Sequence, residues 1–222
     1  MGAINFFKYD LRRSKYLFLL SIFLFSPLAV MMGWTMESLL GVFSYMGLVV
    51  VVAPTSLFTY EQKTDCGFDG LLPATDRDKV FGRYMLGAVC ILFQLILGII
   101  ICTVMSAVTD LKISNVGVIS MIFMGITLIY LSIAFIAYYL IGRNLNQQIK
   151  GVIVMLPCLI LWMIVNTSIG VLMDGEIDIA GLMAKIMDNK EIISALALVI
   201  GIAMYIVSAL ISTQIVKKKD YR

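Results

Sequence analysis

A chain of 222 residues that is 61% hydrophobic, only 14% charged and has a mean hydropathy of +0.99 carries more apolar surface than a water-soluble core of that length can bury, so the excess must face lipid. It contains no histidine, which excludes His-based acid–base catalysis, Ser-His-Asp and Cys-His nucleophiles, and His-ligated zinc or haem. The net charge of +3 is explained by contact with an anionic inner leaflet and calls for no nucleic acid.

In chain order, residues 4–15 come first. Ile4, Phe7 and Leu11 fall on one helical face and Lys8, Arg12 and Lys15 on another, which predicts an amphipathic helix lying in the inner interface. A membrane-spanning helix needs about 20 mostly apolar residues. Six stretches qualify, at about residues 16–34, 39–59, 84–109, 116–141, 151–173 and 192–216. The first is longer than a signal-peptide core, follows a charged segment and lacks a small-residue cleavage site, so it is expected to be retained. All six are apolar around their circumference, whereas barrel strands alternate. The expected fold is therefore all-α and integral to the membrane, with six transmembrane helices forming one domain over residues 1–222.

Charge orients the bundle. With both termini in the cytoplasm, 14 of the 17 basic residues occupy inner segments and only Lys112, Lys185 and Lys190 lie outside, while the acids divide evenly.

The inner connection, residues 60–83, is the most informative. Gly67, Gly70 and Pro73 punctuate it, and Phe68, Leu71 and Leu72 between them are apolar residues in need of a partner surface. Thr75 is the expected N-cap of a helix with Asp76 and Asp78 in its first turn. That helix runs on into the third span, carrying Lys79 and Arg83 on one face toward phosphate headgroups or an acidic partner. The outer connection holds Ile179, Leu182, Met183, Ile186 and Met187 at helical spacing, which predicts an amphipathic helix over 176–190.

Chemistry is otherwise sparse. No charge lies deep in a span, against an ion-coupled carrier or proton pump, and the sequence has no P-loop and no HExxH motif. Cys66, Cys90, Cys102 and Cys158 lack CxxC spacing, so neither a metal site nor a disulfide framework is expected. Most neutral polar residues in the spans are expected to bond between helices or to their own backbone. Ser44, Thr55, Gln94 and Asn166 are the candidates for lining a pathway. Pro27, Pro54 and Pro157 are expected to kink their spans. Ala197 with Gly201, and Ser208 with Ser212, form small-xxx-small pairs that permit close helix contact, including between two copies.

This pattern resembles the ABC-2 type permeases, membrane subunits of ATP-binding-cassette transporters. The resemblance covers the whole chain as architecture: an N-terminal elbow helix, six spans with both ends inside, a cytoplasmic loop between spans two and three, and an outer helical segment between spans five and six. Glu61, Leu71, Leu72, Pro73, Thr75, Lys79, Val80, Arg83 and Tyr84 loosely fit the pattern that follows span two in small bacterial members. The small size is similar to the branch that exports antimicrobial or cytolytic peptides, such as the phenol-soluble modulin exporter. The resemblance implies a type V exporter-like permease in the bacterial plasma membrane that pairs with a second copy or a sister permease. It is not itself an enzyme, and it binds no cofactor. ATP and magnesium belong to a separate ATPase, gripped by a coupling helix near Cys66–Asp78 through Phe68, Leu71, Leu72, Thr75, Lys79 and Arg83, with Phe7, Leu11 and Arg12 forming the elbow interface.

Cargo follows only coarsely. A conduit lined by aromatic, Met and Ser/Thr side chains without fixed charge suits amphiphilic molecules, with amphipathic peptides as the first expectation and hydrophobic antibiotics or lipid-like molecules as the alternative. The competing classes are an ATPase-independent carrier, for which the two halves of the chain offer no clear repeat, and a membrane assembly factor or sensor.

Overall fold

The computed structural model describes residues 2–35, 39, 41–50, 75–109, 116–141, 156, 160 and 190–220. Among them every regular element is helical. Helix α1 (Ala3–Arg13) leads through Ser14 into α2 (Lys15–Leu20), a π-helical turn (Ser21–Phe25) and α3 (Ser26–Thr35). A shorter apolar helix follows, α4 (Gly41–Val50). Then come α5 (Asp76–Val108), α6 (Val116–Ile141) and α7 (Lys190–Asp220).

Among the described residues, four helical stretches are long and apolar enough to cross a membrane: Phe18–Thr35, Arg77–Val108, Val116–Ile141 and Glu191–Lys218. They correspond to the expected first, third, fourth and sixth spans. The second is described only as Gly41–Val50. The expected fifth span (151–173) apart from Leu156 and Ile160, the coupling segment up to residue 74 and the outer helix up to residue 189 lie outside the described residues.

The first span answers Pro27 with a widened turn. Proline cannot donate to the carbonyl four residues back, and its ring crowds that carbonyl. The chain meets this with the π turn, in which both the backbone N–H and the Oγ of Ser26 reach the carbonyl of Ser21. Tyr16 and Trp34 flank the span and are 69% and 68% exposed. At ~1.5 Å per residue they stand roughly 27 Å apart, close to the thickness of the hydrocarbon core and where aromatic belts form.

Pairwise contacts set the directions. Phe18 meets Phe93 edge to face at 5.0 Å, and Gly33 lies against Met105, so the first span and α5 run parallel. Cys102 Sγ donates to the Leu39 carbonyl at 3.8 Å and Gly98 lies against Phe43, so α4 runs against α5. Phe43 and Gly47 contact Phe123 and Thr127, so α4 and α6 are parallel. Helices α6 and α7 are also parallel, with Met121 beside Ser194 and Ser132 beside Ser208. The start of α1, the start of α5 and the ends of α6 and α7 therefore share one end of the bundle.

Lipid tails are as apolar as leucine, so helices in a bilayer are held by close packing and polar contacts. Helices α6 and α7 approach backbone to backbone. A Cβ on Gly125 would come within 2.5 Å of the Ala197 carbonyl oxygen, and one on Gly201 within 2.7 Å of the Gly125 carbonyl oxygen. The Ala197–Gly201 pair, read as permitting close helix contact, thus makes that contact inside the chain. Ser208 and Ser212 are likewise buried within the bundle.

Candidate functional site

Two neighbouring polar arrangements occupy the shared end of the bundle. The first joins α1 to the start of α5. Thr75 and Asp78 form a reciprocal capping box: the Asp78 N–H donates to Thr75 Oγ1 at 3.2 Å, and Asp78 Oδ2 accepts from the Thr75 N–H at 3.4 Å and from its hydroxyl at 2.7 Å. This cap starts α5 at Asp76, well before the apolar run at residue 84. The other oxygen, Oδ1, accepts the Ala3 N–H of α1 at 3.1 Å. One carboxylate thus caps two helices, satisfying amide groups that each helix start leaves unpaired. Asp78 precedes the hydrocarbon-facing part of α5. The donors, led by the Thr75 hydroxyl, hold its carboxyl below its ordinary range despite some opposing desolvation.

One turn further along, Arg83 Nε lies 3.9 Å from Asp10 Oδ2, with side chains 7% and 2% exposed. The guanidinium also sits over the Phe6 ring, 5.8 Å from its centroid. Gly82 permits the approach: a Cβ there would meet the Phe6 ring at 2.9 Å and the Phe7 backbone nitrogen at 3.1 Å. Below this pair Leu86 and Cys90 form an apolar cluster with Phe7, Leu11 and Phe18.

The second arrangement crosses from α5 to α7 and α6. Tyr84 Oη lies 2.5 Å from Ser208 Oγ and 2.9 Å from Ser212 Oγ. Ser208 Oγ donates to the Ser132 carbonyl at 2.9 Å. Each hydroxyl owns one proton, so the chain reads Ser212 to Tyr84 to Ser208 to Ser132. Tyr205 Oη donates to the Tyr84 carbonyl at 2.6 Å, and the rings of Tyr84, Phe135 and Tyr205 pack within 6.5 Å of one another.

Deeper in the bundle, Gln94 is 2% exposed. Its Nε2 donates to Ser21 Oγ at 2.8 Å, beside the π turn, while its Oε1 accepts no hydrogen bond.

The expected site residues fall as follows. Thr75 caps α5 as anticipated. Lys79 is half-buried. Arg83 does not face outward with it but is turned inward onto Asp10, because α1 covers that face of α5. In α1, Phe7 and Leu11 are half-buried against α5 and Arg12 is exposed. Ile4, placed with Phe7 and Leu11 on an apolar face, is 59% exposed, and Phe6 takes the buried position. Ser44 is half-buried on α4, and Gln94 spends its amide group on Ser21 rather than on an open lining. Phe68, Leu71, Leu72, Thr55 and Asn166 lie outside the described residues. Thr103 and Thr127 bond back to the carbonyls of Ile99 and Phe123, as expected of polar residues in apolar helices. The sequence reading missed Phe6 and Asp10, and it named Tyr84 only within the loop pattern, not as a partner of Ser208 and Ser212. Asp10 carried a signal: it is the one acid in a basic segment, four residues after Phe6 and so on the same face.

A family model described as ABC-2 family transporter protein matches residues 5–217, from within α1 to the last turn of α7. No curated protein and no solved structure matches the chain.

Proposed function

The chain belongs to the ABC-2 family of transporter proteins and is a membrane permease of an ABC transporter; on that premise we propose that it pairs with a second permease and is driven by separate ATPase subunits to export amphiphilic cargo. The family implies an ABC ATPase as partner and assigns this subunit to transport rather than catalysis. ATP and magnesium act in the partner.

We read the whole transmembrane domain as six spans. Helices α6 and α7 run in the same direction, so the interval 142–189 has to bring the chain back across the membrane once, and an apolar fifth span over 151–173 does so. We place the shared end of the bundle in the cytoplasm of a bacterial cell, because Lys8, Arg12, Arg13, Lys15, Arg77, Lys79, Lys217 and Lys218 all gather there.

The observation that carries the coupling reading is the double cap at Asp78. An ATPase gripping Phe68, Leu71 and Leu72 pulls on a segment that ends at Thr75, and Asp78 ties the start of α5 to α1. Displacement of the loop is then delivered to the elbow, the first span and α5 together. ATP binding biases the bundle only through contacts that differ between its states, and the apolar loop residues are the contacts proposed here. The cargo assignment rests on a conduit without fixed charge, which favours amphipathic, cytolytic or antimicrobial peptides over ions; hydrophobic antibiotics and lipid-like molecules are the second reading. The test is copurification of the ATPase with Leu71→Asp/Leu72→Asp permease. Loss of the complex supports the docking, and its persistence overturns it.

A further inference from the structure

The exposed face of α1 has a composition that its packing creates. Helix α1 contains a single acid, Asp10, and the basic residues Lys8, Arg12 and Arg13, with Lys15 just beyond. Asp10 is turned inward and neutralised by Arg83. Lys8, Arg12 and Lys15 stay exposed and, four and three residues apart, share one face. Apolar and aromatic groups bracket these cations: Ile4 is exposed one turn before Lys8, and Tyr16 is exposed directly after Lys15, whose ammonium lies over its ring at 5.0 Å. Tyr16 marks the edge of the first span, so Lys15 stands at headgroup depth, with Arg12 and Lys8 one and two turns beyond it. The opposite face of α1 is occupied by α5.

We propose that this face of α1 binds the headgroups of anionic phospholipids, with Lys8, Arg12 and Lys15 as the recognising residues. The burial of Asp10 matters because it removes the one carboxylate of α1 itself that would repel a phosphate. An apolar residue and an aromatic ring beside the cations suit a partner with acyl chains below its charge, which a soluble acidic protein does not offer. Each cation near an anionic surface is worth about a fivefold enrichment of anionic over neutral lipid, so three together favour it roughly a hundredfold before screening.

The test uses the full chain in vesicles mixing phosphatidylcholine with phosphatidylglycerol, extracted gently, with the retained lipids counted by native mass spectrometry. No ATPase is needed, so the outcome is independent of the transport assignment. Preferential retention of phosphatidylglycerol, falling roughly fivefold for each of Lys8→Gln, Arg12→Gln and Lys15→Gln and kept by Lys8→Arg/Lys15→Arg, supports the proposal. Equal retention of the two lipids by wild type overturns it. So does an equal loss in Lys217→Gln/Lys218→Gln, which would make the preference a property of any basic residue at this end of the bundle. Inorganic phosphate displacing the lipid at modest concentration would mean an ion site rather than a lipid surface, and also overturns it.

Discussion

Arg83 and Asp10 face each other with Nε and Oδ2 3.9 Å apart, both side chains almost wholly withdrawn from solvent. A charge left alone in such a place is costly, while replacing both partners with apolar residues of similar size is close to neutral. Asp10→Leu alone is therefore expected to lower stability by about 3 kcal/mol, and Asp10→Leu/Arg83→Met to recover most of that. A double-mutant cycle on thermal unfolding in nanodiscs measures the difference; two strictly additive losses would show that the pair is not coupled.

The Thr75–Asp78 cap makes two measurable claims. Thr75→Ala is expected to cost about 1 kcal/mol, as loss of an N-cap does. Because the Asp78 carboxyl is held below its ordinary range in the fold, its contribution is present above the ordinary carboxylate range and is lost as pH falls through the lowered value. The protection factor of the first amides of α1, measured against the intrinsic exchange rate at each pH, should fall in acid for wild type and should be low at all pH values for Asp78→Ala.

The α6–α7 crossing predicts a sharp contrast between glycines. Gly125→Ala drives a Cβ into backbone, and overpacking of this kind costs about 1–3 kcal/mol. Gly117→Ala, on the same helix with nothing within 4 Å of its would-be Cβ, is expected to leave the melting temperature unchanged. Equal melting temperatures for the two variants would contradict the crossing.

Gln94 and Ser21 give a prediction of order. Ser21→Ala strands the amide nitrogen of Gln94 beside an oxygen that already lacks a donor, whereas Gln94→Leu removes both at once. Leaving a buried group unsatisfied costs about 1–3 kcal/mol, and removing it can be nearly neutral. Ser21→Ala is thus expected to be the more destabilising change, although it deletes fewer atoms.

Much of this fold could be read from hydropathy, because a bilayer forces each crossing to be a long apolar helix. The third, fourth and sixth spans emerge within a few residues of their apolar runs, apart from the polar extensions of α5 and α7. Thr75 was legible as a cap because capping is decided within four residues. Arg83 was misplaced because local spacing could put it on a face of α5 but could not show that α1 covers that face. Tyr84, Ser208 and Ser212 were unreadable as a unit for the same reason: a hydroxyl in an apolar run looks alike whether it bonds its own backbone or a helix more than 120 residues away. The Ala197–Gly201 pair predicted close packing correctly but not its partner, since small residues specify approach without specifying which helix approaches.

The hydrogen bond between Ala3 and Asp78 spans 75 residues, and this separation orders events during synthesis. Helix α1 is synthesised before the carboxylate that seats it, which emerges only after the first span and α4 have been made. Until then the carboxylate that joins the start of α1 to the start of α5 is absent. Docking of α1 thus waits until about the first third of the chain has been made.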